Sequence, residues 1–455
     1  MGPLCFWGIL YILLVGAYSL PQSIQLRVKP DGHFKILQIA DMHYANGAST
    51  KCKDVLSKEY GSCSDLNTTA FIERLIAAEK PDLIVFSGDN IFGQDTSDPR
   101  GSMNAAFAPA VKAGIPWAAI LGNHDQESSI SRFQVMEHIA SMEHTLSQVY
   151  PSTKSIIANA EDVDNMTEVD GFGNYHLSVR GAMGSPLENR SVLNLYLLDS
   201  GDYSKHPKVH GYGWIQESQK KWFKELSSQL KDDFYKEPIA HNFTTPPALV
   251  YFHIPLVEAR HVKCSITGSK QESIGCAQVN SGFLQTMREA GNPHIVFNGH
   301  DHVNDFCGDL SENVKMCYGG GVGYHAYGKA GWSRRARVVD VSLHKNRSSE
   351  TVGGRNNAPM RTMSKASTMQ HTEWREVDQI VTWKRLDDQT PTSLPTIDYE
   401  VLWSRLPLPS KSHYEGWSWM SVMAMIEEQP PLQSSTHTHT HDTVPDSQVC
   451  NELVS

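Results

Sequence analysis

Residues 299–302 read Gly-His-Asp-His and follow directly on the apolar run His-Ile-Val-Phe-Asn. Two imidazoles one residue apart are residue types that bind borderline transition metals, although an ordinary exposed turn can hold the same triplet without any metal. Four other apolar runs end comparably. Residues 34–40 run into Asp41-Met42-His43, 82–87 into Gly88-Asp89-Asn90, 117–121 into Gly122-Asn123-His124-Asp125, and 248–252 into His253-Ile254-Pro255. Each motif alone is common turn chemistry. Together, in this order and each behind an apolar run, they point to one site at the carboxyl ends of strands, where open α/β sheets bind ligands.

The residue types suit a pair of metal ions better than a nucleophile triad. Carboxylate and imidazole together fit iron, zinc or manganese, and the absence of thiolates from these motifs argues against a closed structural zinc site. Asp89 has two oxygens with which to bridge two cations, and Asn123 adds a neutral amide oxygen. Two cations about 3.5 to 4 Å apart activate a water between them and stabilise charge developing on a transferring phosphoryl group.

The elements that must position these residues are legible as alternating strands and helices. The run 34–40 reads as a buried strand, and 69–80 places Phe71, Ile72, Leu75 and Ile76 on one helical face before Pro81. A strand at 82–88, a helical stretch near 102–113 and a strand at 117–122 complete βαβαβ logic, hence a largely parallel sheet under helices. A second group of strands is expected at 174–179, 192–199, 248–253, 294–299, 315–320 and 336–343, with an amphipathic helix over 214–230. The expected architecture is α/β, a four-layer α/β/β/α sandwich of two mixed sheets.

The domain proper is expected to span 21–345 and to resume with two final strands over 371–405. Between them, 346–370 has neither a usable period nor clustered apolar residues and reads as a flexible insertion. From 406 to 455 the chain turns to Pro, Ser and Thr, includes Thr-His-Thr-His-Thr-His-Asp, and reads as a disordered tail rather than a metal site.

Residues 1–20 are apolar and are followed at once by Pro-Gln-Ser, which reads as a secretory signal peptide, with an uncleaved anchor as the alternative. No later run is long enough to span a bilayer, so no stable membrane insertion is expected after cleavage. Six cysteines fall into local pairs, Cys52 with Cys63, Cys264 with Cys276 and Cys307 with Cys317, expected as disulfides of an exported chain, with reduced surface thiols as the alternative. Asn67, Asn165, Asn189, Asn242 and Asn346 head glycosylation sequons, so a glycoprotein on the extracellular, cell-wall or vacuolar route is expected. A formal net charge of −10 with no dense basic run excludes sequence-independent nucleic-acid binding.

The ordered blocks Asp-Met-His, Gly-Asp-Asn, Gly-Asn-His-Asp, His before Ile-Pro, and Gly-His-Asp-His resemble those of the calcineurin-like metallophosphoesterases over residues 33–343. More closely, Ile36–Tyr44, Tyr196–Ser204 and the stretches 213–223 and 323–339 resemble the plant purple acid phosphatase-like proteins, the type labelled inactive. The resemblance implies Asp41, His43 and His302 on one metal, Asp89 bridging, and Asn123, His253 and His300 on the second. It places His124 beside the scissile bond as the catalytic imidazole, steadying phosphoryl oxygens or protonating the leaving group. Asp125 receives no catalytic role, since it reads equally well as a surface cap.

Two departures stand out. Where purple enzymes carry a Tyr three residues after the bridging Asp, this chain has Phe92, which cannot ligate. Where they have Asp-x-Gly, it has Asp41-Met42-His43, so the lost phenolate is matched by a gained imidazole and a complete, colourless site is expected. The Gly-rich run 319–328 suggests Tyr324 and His325, with Asn123 and His124, as substrate-binding residues, while a tight turn explains its glycines equally well. Arg334 and Arg335 read as a solvated strand edge.

The resulting expectation is a secreted metallophosphoesterase, acid phosphatase-like, that uses two divalent or trivalent ions (iron, zinc or manganese). It would hydrolyse small phosphomonoesters with a hydroxide activated at the dinuclear centre. Two alternatives stand beside it: a phosphodiesterase or nucleotide pyrophosphatase, and a catalytically inactive secreted glycoprotein that binds metal or phosphate.

Overall fold

Alternation along single strands sorts the apolar residues onto two faces. Leu193, Leu195 and Leu197 join a core that also takes Leu37, Ile39, Val85 and Val338, whereas Tyr196 and Leu198 join a separate core with Trp222, Phe223 and Phe283. The first core fills the space between two sheets and continues on the outer face of one of them beneath its helices; the second lies between the other sheet and its helices.

The computed structural model describes residues 24–151, 169–236, 238–262, 266–292, 294–345, 374–388 and 394–406. The expected signal peptide, the 346–370 insertion and the tail beyond 406 lie outside the described residues, as do Asn165 and Asn346. One six-stranded sheet has the order β12 (Thr396–Ser404), β11 (Trp374–Leu386), β10 (Arg335–Lys345), β1 (His33–Ile39), β2 (Leu83–Ser87), β3 (Trp117–Ile120). The other runs β4 (Tyr175–Arg180), β5 (Ser191–Leu197), β6 (Ala248–Tyr251), β7 (His294–Asn298), β9 (Val314–Tyr318), β8 (Cys307–Ser311). Helices α1 (Asp65–Glu79) and α2 (Pro99–Ala113) supply Phe71, Leu75, Met103 and Phe107 to the first core, and α4 (Glu217–Tyr235) and α5 (Phe283–Ala290) supply the second. Both sheets are mixed, and the arrangement is the expected four-layer α/β/β/α sandwich.

Register matters most for function. β1, β2 and β3 are parallel, with Ile39 opposite Phe86 and Ser87 opposite Ile120, so the three strands finish close to level. β5, β6 and β7 are likewise parallel, with Leu197 opposite Tyr251 and Tyr251 opposite Phe297. Each sheet therefore presents a flush carboxyl edge.

Three features differ from the sequence reading. β10 follows the second group of strands in the chain yet returns to the first sheet, antiparallel to β1, with Ile36 opposite Val339. β1 is buried along most of its length and needs a partner on both edges; β2 takes one and β10 the other. Strand β8, Cys-Gly-Asp-Leu-Ser, is an edge strand with three of its five residues outside the core, so it lacks an apolar period. The short helices α3 (Arg132–Ala140) and α5 carry too few turns to show a clear one.

The Cys52–Cys63 and Cys307–Cys317 disulfides are formed, the latter between directly opposed residues of β8 and β9. The third expected pair includes Cys264, outside the described residues; Cys276 is buried, its thiol directed at the Ala277 carbonyl oxygen. Among the described residues no helix is long and apolar enough to cross a membrane. The sequon residue Asn67 caps α1, accepting the Ser64 backbone N–H.

Because Cys52–Cys63 closes a short loop, the Cys52→Ser/Cys63→Ser double variant is expected to lose about 3 kcal/mol of stability. A urea titration followed by circular dichroism measures it; an unchanged midpoint would show that the loop is held by its other contacts alone.

Candidate metal centre

The two flush edges meet at one place. The residues just past β1, β2 and β3 bring Asp41, His43, Asp89 and Asn123 from one sheet, and those past β6 and β7 bring His253, His300 and His302 from the other. Every one of the seven is buried. The turns that deliver them are bent sharply: Asp41, His43, Asp89 and His300 all have positive φ, at 55°, 45°, 49° and 79°. Such left-handed conformations cost non-glycine residues on the order of 1 kcal/mol each and concentrate at functional sites. Backbone bonds hold them in place, from Asp41 N to Gly88 O (3.2 Å) and from His43 N to Asp89 O (2.9 Å).

Asp89 is shared by two groups of donors. Its Oδ1 accepts the His124 backbone N–H at 2.8 Å, which leaves Oδ2 facing His43 Nε2 at 3.3 Å and His253 Nε2 at 3.1 Å. Asp41, His43, Asp89 and His302 form one group and Asp89, His253 and His300 the other, each with donor atoms within 4.8 Å of one another. The ring tautomers agree with this arrangement. His302 Nδ1 donates to the Tyr327 carbonyl (2.9 Å), so its Nε2 lone pair turns inward, and His253 Nδ1 donates to the Ser87 carbonyl (2.9 Å), which turns its Nε2 toward Asp89. The Nε2 atoms of His43 and His302 face each other at 3.2 Å.

Several of these atoms lack partners. Asp41 Oδ2 and Asn123 Oδ1 are buried without hydrogen bonds, a cost of about 1–3 kcal/mol per group that a bound cation would relieve. Charge points the same way. Burial pushes the His43, His300 and His302 imidazoles down, His300 to about 3, which keeps them neutral as cation binding requires. Burial also drives the Asp41 carboxyl well up. At Asp89 burial acts upward too, but His253 and His43 outweigh it and hold the carboxyl well below the usual range; its charge in turn lifts His253 to about 9 against burial. The donor set of carboxylate oxygens, imidazole nitrogens and one amide fits two cations of the iron, zinc or manganese kind.

The calcineurin-like phosphoesterase profile matches residues 34–304. This chain belongs to that family. It is 49% identical over 401 residues to "Probable inactive purple acid phosphatase 29" of Arabidopsis thaliana, covering 88% of this chain and 93% of that one. It is 46% identical over 385 residues to "Probable inactive purple acid phosphatase 14" of the same plant, covering 84% and 86%. "Phosphatase DCR2" of Saccharomyces cerevisiae is 32% identical over 336 residues, covering 71% and 54%.

In this member of the family His124 lies at the rim, its side chain 25% exposed, with Nδ1 2.6 Å from Glu127 Oε2. Glu127 lies three residues on in the same turn, where its backbone N–H donates to the His124 carbonyl at 3.3 Å. Phe92 packs between His124 (4.9 Å between ring centroids) and His43 (5.3 Å), so the position that cannot ligate forms an aromatic wall. Asp301 points away from the cluster, accepting from Tyr318 Oη at 2.6 Å and Gly275 N at 3.0 Å.

Other expectations are corrected. Asp125 is not a surface cap: it is fully buried and accepts from Gly122 N (2.7 Å), Asn90 N (2.9 Å) and Ile91 N (3.0 Å), clamping the Gly-Asp-Asn turn to the Gly-Asn-His-Asp loop. Arg334 and Arg335 are not solvated; Arg334 donates to the carbonyls of Lys53, Ala326 and Tyr327, and Arg335 pairs with Asp305 at 2.6 Å. Tyr324 is turned from the cluster, with Oη donating to Asp387 Oδ2 at 2.9 Å. His325 stays near the rim, 5.7 Å from the Phe92 ring, but both its nitrogens are engaged, by Lys51 O (2.7 Å) and Asp95 Oδ2 (2.8 Å). Tyr327 instead stacks on His302 at 3.8 Å.

The glycines of the motifs do more than turn the chain. A Cβ on Gly122 would collide with Asp89 Oδ1, and one on Gly88 with the His253 ring. Gly122→Ala must therefore displace Asp89. The variant is expected to bind Mn²⁺ at least about tenfold more weakly in a calorimetric titration, with its far-ultraviolet dichroism unchanged; wild-type affinity would show that cation binding does not depend on where Asp89 sits.

Proposed function

We propose that this protein is an exported, metal-dependent phosphoesterase that hydrolyses small phosphomonoesters at a dinuclear centre. The observation that carries the proposal is Asp89 Oδ2, a buried carboxylate oxygen shared by two donor groups drawn from two sheets. Asp41, His43 and His302 would complete one cation's surroundings, and Asn123, His253 and His300 the other's. Cations held by these residues would supply Lewis acidity to phosphoryl oxygens and lower the pKa of a bound water.

The chain's own groups do the remaining work. Glu127 fixes one edge of the His124 ring, so the opposite edge meets a phosphoryl oxygen or delivers a proton to the departing ester oxygen. Phe92 walls the site beside His43 and His124 and keeps water from that side. Export is supported by the two disulfides, which persist in oxidising compartments, and by the exposed sequon residues Asn189 and Asn242.

The names of the plant relatives favour a second reading, a metal- or phosphate-binding glycoprotein without turnover. The donor set speaks only against a protein that cannot hold metal, since the phenolate missing at Phe92 is offset by the imidazole of His43; turnover itself separates the two readings.

Protein supplied with iron, zinc or manganese is expected to hold about two ions per chain by elemental analysis and to hydrolyse p-nitrophenyl phosphate faster than its bis-ester. Asp89→Asn should lose both metal and rate. Fewer than about one ion per chain with no turnover contradicts the proposal, full loading with tight phosphate binding and no hydrolysis supports the second reading, and preference for the bis-ester indicates a phosphodiesterase.

A further inference from the structure

A lysine on a surface loop is usually too mobile to recognise anything. Lys53 is an exception. It follows Cys52 directly, and the disulfide to Cys63 closes the loop it stands on. Its own peptide groups are pinned on both sides, the N–H by the Tyr324 carbonyl at 2.9 Å and the carbonyl by Arg334 Nη2 at 2.8 Å. The flanking residues are tied to the same segment, Lys51 O by His325 Nδ1 (2.7 Å) and Asp54 Oδ2 by Gly328 N (3.0 Å). Arg334 is itself buried and gives its hydrogen bonds to carbonyls, so its task in the fold is to hold this loop.

The loop aims the lysine at the site. The Lys53 ammonium sits 4.7 Å above the Phe92 ring, the same ring that packs against His43 and His124. Its side chain is 44% exposed, and its nearest counter-charge, Asp95, is 3.8 Å away and shared with His325 at 2.8 Å. A cation held by cation–π contact on an uncharged ring, with only a weak and divided ion pair, keeps most of its charge for a ligand.

We propose that Lys53 is a second anion-recognition point beside the metal cluster, so that the preferred substrates carry another negative group next to the scissile phosphoryl. Condensed phosphates and phosphorylated leaving groups belong to that class; esters of uncharged alcohols do not. The inference rests on the phosphoesterase reading, because the first phosphoryl must sit on the cations for the second to reach Lys53. Phe92 is part of the device, since its uncharged ring holds the ammonium by cation–π contact and brings no anion of its own.

The test is calorimetric binding of orthophosphate and of pyrophosphate to the full, Mn²⁺-loaded chain, for wild type and Lys53→Gln. Lys53 is exposed and outside the core, so the substitution leaves folding intact. Wild type is expected to bind pyrophosphate more tightly than orthophosphate, and Lys53→Gln to reduce pyrophosphate affinity about fivefold more than orthophosphate affinity, the effect of one partly exposed ion pair. Equal losses for the two ligands, or none, would overturn the inference while leaving the metal-site reading intact. Failure of the wild type to bind either anion would overturn both.

Discussion

Asp89 is the group on which the structure turns. A fully buried carboxylate is tenable only if its charge is compensated on every side, and Asp89 achieves this by drawing partners from both sheets: His43 and the His124 backbone from the first, His253 from the second. Two sheets packed face to face can slide against each other with little change in apolar area. A charge that needs donors from both fixes their relative position at one point.

Much of the remaining polar interior serves that point. Asp125 binds three backbone N–H groups of the loops on either side of Asp89. Arg132 forks onto Asp199, through Nε at 2.9 Å and Nη2 at 2.5 Å, while its Nη1 reaches the Gly122 carbonyl at 2.7 Å. On the other side Asp305, three residues beyond His302, accepts from Arg335 at 2.6 Å and Lys384 at 2.8 Å, so β10 and β11 of the first sheet anchor the loop that carries the second sheet's histidines. Buried ion pairs add little net stability, because desolvation offsets their attraction. Their geometry, rather than their energy, explains their presence, and strained turns at Asp41, His43, Asp89 and His300 are retained because this framework over-determines them.

The sequence carried the architecture and the gathering of polar side chains at the strand ends because both depend on local pattern. An apolar run is a strand wherever it pairs, and a polar side chain just after a parallel strand has only one edge to go to. What stayed hidden depends on partners distant in the chain. The return of β10 to β1 is decided by which sheet has an open edge. Asp125, Arg334 and Arg335 looked like surface residues because charged side chains usually are; each is buried with partners distant in the chain, Asn90 and Ile91 for Asp125, Lys53 for Arg334 and Asp305 for Arg335. Gly122 and Gly88 read as turn glycines, whereas the space beside them is taken by Asp89 and His253. Tyr324 and His325 were credited with the substrate because of the glycines around them, and the disulfide-closed loop claims both instead.

A catalytic protein and a merely metal-binding one would both fill this donor set, so the claim on which either reading depends is that two cations share Asp89. Crystals soaked in MnCl₂ and measured across the manganese absorption edge test the account most directly. Two anomalous peaks about 3.5 to 4 Å apart, one on either side of Asp89 Oδ2, are the predicted result. A single peak, or none within reach of Asp89, would contradict it.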